Sequence, residues 1–241
     1  MPLVAISQGT DTAYKLTFQN GERIAADILV LTMPCPTYSD IIVENDIIPA
    51  ERLEAINGIH YGTNAKILVP FSPAPPVTTV CFNDRVGCFF ANPHVLTVYY
   101  TGVAASFSER DIAQTYKHEY PMLEKGFGSQ YLSSQAPEYA RDEAFASYVG
   151  PIGYSWPNDR YAKGSYSYIS PGQEALLTAT HQEGGQTVKS LFAPINGTLY
   201  FAGEQASILT DVAGTMEAAC ESGERVARMV QAAVLAKHRE S

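Results

Sequence analysis

Apolar and polar residues alternate over most of positions 3–33, in three runs (3–7, 13–19 and 23–33) that each read as a strand with one face toward a core. Asn20-Gly21 separates the last two runs. Both central residues of a two-residue hairpin turn need positive φ, so this dipeptide predicts a hairpin. The hairpin's second strand ends in the apolar run Ile28-Leu29-Val30-Leu31, which suits burial on both faces, and Pro34-Cys35-Pro36 stops it. In the segment 49–57, Pro49 stands before the helical residues and Gly58 follows them, the asymmetry of a short helix. Strands are expected at 65–71, 77–82, 86–91 and 95–102. Ser108 with Asp111 can form a capping box opening a helix to about residue 119, and 121–143 reads as mixed helix and loop. Residues 148–172, rich in Tyr, Gly and Pro, predict an ordered loop with short strands; 199–202 reads as a short strand.

The strongest period lies at 214–237. Ala219, Gly223, Val226, Val230 and Ala233 recur at spacings of three and four and predict the inner face of a helix. Glu217, Glu221, Glu224, Arg225 and Arg228 fall on the other side, where Glu221 with Arg225 and Glu224 with Arg228 make i,i+4 pairs. The small inner residues Ala219 and Gly223 predict close approach to a neighbouring backbone.

Composition narrows the function classes. At 241 residues, 46% apolar and 17% charged, the chain can bury a core, and its net charge of -9 argues against nucleic acid as a partner. There is neither a signal-like start nor a run of 18 apolar residues, so the reading is a soluble, cytoplasmic protein without a membrane segment. Cys35, Cys81, Cys88 and Cys220 are scattered without C-x-x-C, which suggests reduced thiols and neither a metal site nor a disulfide framework. The zinc-protease, Walker and G-x-S-x-G motifs are missing; Gly126-Phe127-Gly128-Ser129 lacks the third glycine of a dinucleotide loop.

Three segments are more specific. Gly197-Thr198-Leu199-Tyr200-Phe201-Ala202-Gly203-Glu204, followed by Gly214-Thr215-Met216-Glu217-Ala218-Ala219 and Glu221-Ser222-Gly223-Glu224-Arg225, resembles the C-terminal flavin-binding segment of the flavin-containing amine oxidases. A strand ending in glycine lets backbone approach a cofactor, and a helix start turns free N–H groups toward negative charge. The resemblance implies FAD, with the Met216 backbone donating to the flavin's pyrimidine edge and Glu204 near its ribityl and phosphate region. Tyr61-Gly62-Thr63-Asn64-Ala65-Lys66-Ile67-Leu68-Val69 is similar to the family segment whose lysine faces the reactive flavin nitrogen through a water. The neighbours of Lys66 suggest partial burial. The third segment, from Trp156 through Tyr161, Gly164, Ser165 and Tyr166 to Tyr168, resembles the W-x-x-x-x-Y-x-x-G-[SC]-Y element. It implies that Trp156 and Tyr161 pack by the flavin and that Tyr166 is one wall of an amine-orienting slot.

Departures from the pattern refine these expectations. Ser165 stands where some members carry a flavin-linking cysteine, so the FAD is expected to be noncovalent. Thr215 replaces the tyrosine of the opposing wall, which leaves half an aromatic cage. No G-x-G-x-x-G unit precedes these segments, and the resemblance, from about residue 3 to 235, matches only the C-terminal half of such an enzyme; Leu3 or Val4 is implied to lie near adenine.

The fold class expected is therefore α+β, the C-terminal half of an amine-oxidase-type FAD/NAD(P)-binding fold: an FAD-domain portion at 1–58, part of a mixed-sheet substrate domain at 59–172 and a second FAD-domain portion at 173–241. The implied function is hydride transfer from a small-molecule amine to FAD, giving an imine, with dioxygen reduced to hydrogen peroxide. Lys66, Tyr166 and Thr215 are the candidate catalytic residues; Leu3, Val4, Trp156, Tyr161, Gly203, Glu204, Gly214, Thr215 and Met216 are the candidate cofactor contacts. An N-terminal half chain or self-association is the expected partner, because the missing half would leave apolar surface uncovered. The alternatives are a truncated or accessory module that binds no FAD alone, and a related flavin desaturase or protoporphyrinogen oxidase. The Lys66 context favours amine oxidation over the latter.

Overall fold

The computed structural model describes residues 1–44, 46–70, 79–81, 86–92, 95–107 and 152–240. In chain order the elements are β1 (Leu3–Gln8), β2 (Tyr14–Phe18), β3 (Arg23–Ala26), β4 (Leu29–Leu31), β5 (Ile42–Val43), α1 (Ala50–Asn57), β6 (His60–Tyr61), β7 (Asn64–Pro70), β8 (Thr79–Cys81), β9 (Val86–Asn92) and β10 (Val95–Thr101). They continue as β11 (Ile152–Ser155), β12 (Ser167–Tyr168), α2 (Glu174–Thr178), β13 (Thr180–Glu183), β14 (Gln186–Lys189), β15 (Leu199–Phe201) and α3 (Met216–Glu240), with short 3-10 turns between several of them. The expected helix at 108–119 and the stretch 121–143 lie outside the described residues. The chain divides into two units: Met1–Tyr61 with Tyr161–Ser241, and Gly62–Arg160.

In the first unit, β1, β2 and β3 form an antiparallel meander with β5 parallel on the far side of β1. The turn falls at Asn20-Gly21, where Phe18 N–H donates to Glu22 O (2.9 Å). The predicted long second strand breaks at Asp27: β3 ends at Ala26, and β4 pairs in parallel with β15, Leu29 opposite Leu199 and Leu31 opposite Phe201. Burial on both faces of this run does not hold, since Leu29 and Leu31 point inward while Val30 is 39% exposed. Ile6, Leu29, Leu31, Tyr38, Ile56, Leu199 and Phe201 share one core, and α1 is fastened to it by Arg52, which donates to Leu191 O and Ala193 O and lies over the Phe201 ring.

Helix α3 packs through a second cluster in which Val226 and Met229 meet Val188, Tyr200 and Ala202. Its buried face is Ala218, Ser222, Arg225, Val226 and Met229, rotated from the expected one. Arg225 was placed outside by its charge, yet it is 5% exposed because its guanidinium finds both a carboxylate and a carbonyl inside. The expected close backbone approach at Gly223 is not made; a side chain there would meet open space.

The second unit is an antiparallel sheet in the order β11-β7-β10-β9-β8. Alternation puts Ala65, Ile67, Leu96, Val98 and Tyr100 on its buried side and turns Lys66, Leu68, Ile152 and Tyr154 outward.

Candidate functional site

The site-forming part of the first unit starts where β15 runs out. Gly203 has φ 131, a backbone conformation open to glycine, and the turn that follows is held at several backbone atoms. Gly203 N–H donates to Ser222 Oγ (2.9 Å), and the Ser222 hydroxyl lies within donating distance of Gly203 O (2.8 Å) and Ala219 O (2.9 Å). Lys189 Nζ donates to Gln205 O (3.1 Å) and an Arg225 terminal nitrogen to Ala206 O (2.8 Å). Glu221 joins the same clamp: it accepts from Arg225 Nε (2.8 Å), from Ser207 Oγ (2.7 Å) and from Ile208 N–H (3.2 Å). Burial alone would raise the Glu221 pKa, but these donors outweigh it and hold the carboxyl below its ordinary value.

Two segments meet at this turn. The Ser167 N–H and hydroxyl both donate to the Glu204 carboxylate, at 2.9 and 2.7 Å, so β12 is tied to the turn. That bond sets the neighbouring Tyr166, preceded by a cis Ser165–Tyr166 peptide, with its ring on Gly214. Gly214 has φ 77, and a Cβ added there would overlap the Tyr166 ring. Tyr166 remains 49% exposed.

Helix α3 opens beside this contact. Thr215 Oγ1 accepts the Ala218 N–H (3.2 Å) as an N-cap, while the N–H groups of Met216 and Glu217 have no acceptor within the helix and the Met216 side chain is 86% exposed. An exposed first turn beside a half-exposed aromatic ring can hold a flat ligand that carries acceptor atoms along one edge.

A cavity of about 290 Å³ adjoins these residues, walled by Tyr166, Tyr168, Leu177, Leu209, Lys189 and Glu204 among others. Burial lowers the Lys189 pKa, with the Glu204 charge opposing the shift. Nearby, burial pushes the Cys35 thiol up to about 12 and raises the Tyr61 hydroxyl too, so this cysteine stays an inert thiol.

The structure thus brings Tyr166, Gly203, Glu204, Gly214, Thr215 and Met216 into one neighbourhood. Leu3 and Val4 begin β1 and do not line the cavity, and Tyr161 is 53% exposed. Lys66 and Trp156 belong to the other unit. Lys66 is exposed, correcting the expectation of partial burial; its ammonium lies 5.5 Å from the centre of the Tyr99 ring, opposite it on β10, with Tyr154 opposite on β11. Trp156 packs edge-on to Tyr154 at 4.6 Å between ring centres. Ser167, Lys189, Ser222 and the inward role of Arg225 escaped the sequence reading. The i,i+4 spacing of Glu221 and Arg225 was a visible sign, but nothing in the sequence marks Lys189 as facing residue 205. Among the described residues no group of three or more His, Cys, Asp or Glu could hold a metal ion, and no helix is long and apolar enough to cross a membrane.

Residues 1–231 match the family model described as flavin containing amine oxidoreductase. No curated protein matches the sequence. Among solved structures the chain is similar to cyclohexylamine oxidase from Brevibacterium oxydans IH-35A, with 18% identity and a TM-score of 0.63 over 95% of this chain and 48% of that one. It is also similar to a triple mutant of putrescine oxidase with redesigned cofactor binding, with 14% identity and a TM-score of 0.65 over 96% of this chain and 48% of that one. The chain spans about half the length of these structures, and at such identities the likeness is one of fold.

Proposed function

The chain belongs to the flavin-containing amine oxidoreductases, and from that premise we propose that it forms the C-terminal half of an FAD-dependent amine oxidase with noncovalently bound cofactor. The observation that carries the reading is the junction in the first unit where the Tyr166 ring lies on Gly214 at the exposed start of α3. The residues there fit the cofactor: the isoalloxazine ring is flat and bears carbonyl acceptors on one edge, and the junction offers an aromatic face beside the Met216 and Glu217 N–H donors. Bound flavin would supply the two-electron oxidation: a hydride from the amine's α-carbon and a proton from its nitrogen are lost to give an imine, and dioxygen takes up the two electrons and two protons as hydrogen peroxide.

The chain's own residues bind and orient. The first turn of α3 would offer its N–H groups and positive dipole end to the electron-rich edge of the ring. Tyr166 aligns the amine, and Thr215 caps the helix with its hydroxyl, so it supplies no second aromatic wall. Glu204, fixed by Ser167, faces the ribityl chain, with Leu3 or Val4 by the adenine. By the family resemblance alone, Trp156 and Tyr161 would be residues that pack by the ring and Lys66 one that holds a water assisting reoxidation or imine hydrolysis. Ser165 offers a hydroxyl where a covalent link needs a thiol.

A second reading, a module that binds no FAD, is favoured by one observation: these 241 residues contain no G-x-G-x-x-G loop for the pyrophosphate. Under the oxidase reading that loop comes from an N-terminal half, carried on a longer chain or on a separate one. An absorbance spectrum with FAD, of the chain alone and with that half, decides between the two. Shifted flavin bands and amine-dependent peroxide establish the oxidase, whereas unshifted bands in both samples establish the module.

A further inference from the structure

A second cavity of the first unit, of about 300 Å³, lies at the turn from β1 to β2, where it is also lined by the segment around Asp46 and the loop before β15. Its polar side chains are Gln8, Thr12, Tyr14, Asp46, Asn196 and Thr198; only Ala13 and Ile47 add purely apolar ones. None of these residues is among the flavin or amine contacts. The Tyr14 and Thr198 hydroxyls share a hydrogen bond (2.8 Å), and Thr12 Oγ1 donates to Tyr14 O (3.1 Å). By contrast, the Gln8 and Asn196 carboxamides and the Asp46 carboxylate have no partner among the described residues. Their backbone is fixed all the same. Gln8 N–H donates to Glu44 Oε2 (2.7 Å), Ile47 N–H to Glu44 O (3.3 Å) across Asp46, and Thr198 N–H to Ile195 O (3.1 Å) across Asn196. Asp46 (φ 79) and Asn196 (φ 53) are two of the three described non-glycine residues with positive φ, a costly conformation that gathers at ligand sites.

This lining excludes most ligand classes. No Lys, Arg or His lines the cavity while Asp46 does, and the Glu44 carboxylate is bonded to Gln8 N–H beside it, so an anion is repelled. An apolar ligand would strip water from the carboxamides and the carboxylate without replacing it. An organic cation carries donors alone and would leave the carboxamide N–H groups without an acceptor. Each carboxamide sets a donor beside an acceptor, and two neighbouring hydroxyls on a ring present the same pair in reverse. We propose that this cavity binds a neutral polyhydroxylated ligand, a monosaccharide in its ring form, with adjacent hydroxyls donating to Asp46 and exchanging hydrogen bonds with the Gln8 and Asn196 carboxamides. The volume is at the small end of ligand pockets and suits a molecule of about a dozen heavy atoms, the size of one hexose. The proposal goes beyond the oxidase reading and does not rest on it.

NMR titration of the isotope-labelled 241-residue chain with D-glucose tests the site. The Gln8 and Asn196 side-chain amides are expected to shift and to saturate with a Kd of about 1–30 mM, as suits a small ligand in an open cleft. Tetrahydropyran-2-methanol, which keeps the ring without its adjacent hydroxyls, should bind at least about tenfold more weakly, and so should methylammonium. Asp46→Asn and Asn196→Gly bring in residues that tolerate positive φ, and each should weaken D-glucose at least about threefold. No saturating shift with D-glucose, shifts confined to other residues, equal binding of either analogue, or an unaffected variant overturns the proposal. If a variant does not fold, the comparison of D-glucose with the two analogues on the unmodified chain decides. Because the site shares no residue with the flavin contacts, failure of this titration leaves the oxidase reading standing, and a failed flavin spectrum leaves the titration standing.

Discussion

The turn from Gly203 to Ser207 and the strand around Lys66 hold their side chains by different means. In the turn, Ser222, Lys189, Arg225 and Glu221 bond backbone or hydroxyl groups of successive residues, so its shape is fixed from within its own unit. On β7, the geometry of Lys66 is that of any outward residue of an antiparallel sheet, with a tyrosine across each neighbouring strand. The first arrangement is costly to disturb, because polar groups left without partners inside a protein destabilise it. The second costs little, because its partner groups are wet. A functional residue can therefore be firmly placed by the fold or merely presented by it, and mutation tells the two apart.

The largest effect expected is that of Gly214→Ala. Positive φ and overlap with the Tyr166 ring together should remove about 3 kcal/mol of stability in urea denaturation. A loss under about 1 kcal/mol would show that the junction yields and would weaken the comparison.

Next is Arg225→Met, which leaves the Glu221 carboxylate without its ion pair and Ala206 O without a donor. With Arg225 5% and Glu221 19% exposed, the cost should be about 2 kcal/mol at neutral pH. The pH dependence sharpens this. The Glu221 pKa is depressed in the folded state, so the pair's contribution is complete above the ordinary carboxylate pKa and is lost as pH falls through the lower, folded value. The gap between wild type and Arg225→Met should accordingly narrow in acid; a gap that stays constant down to the acid limit would rule out ionisation of Glu221 as its source.

Ser222→Ala should cost about 1–2 kcal/mol, since one hydroxyl serves both polar groups of Gly203. Slower exchange of the Gly203 amide in the variant than in wild type would contradict that. Smallest is Lys66→Met, expected within about 0.5 kcal/mol of wild type in stability, with any consequence confined to turnover once flavin and amine are bound. A stability loss above about 1 kcal/mol would place Lys66 among the fixed residues and break the contrast.

Much of this division was legible in the sequence. Asn20-Gly21 located the hairpin turn, Pro49 and Gly58 bracketed α1, and the wording around Gly203, Gly214 and Tyr166 named the segments that meet. Failures came where hydropathy assigns sides by residue type alone. Arg225 reads as a surface residue until Glu221 and Ala206 O are seen beside it, and so the inner face of α3 was misjudged. Val30 reads as buried in a run of four apolar residues, yet alternation on a short strand turns it outward. Lys66 was drawn inward by apolar neighbours that in fact occupy the opposite side of the sheet or share its exposed one. Long-range partners such as Lys189 and Gln205, or Ser167 and Glu204, leave no periodic trace at all.

The parallel pairing of β4 with β15 joins residues some 170 positions apart, within a unit whose two pieces flank the other. On the ribosome, the apolar side chains of Ile6, Leu29 and Leu31 must wait for Leu199 and Phe201 before their core can close. At roughly 5–20 residues per second, the interval from Tyr61 to Phe201 lasts on the order of seven to thirty seconds. Through that interval those apolar side chains have nothing to close on and are exposed to aggregation, whereas the described strands of the intervening unit all lie between residues 64 and 155.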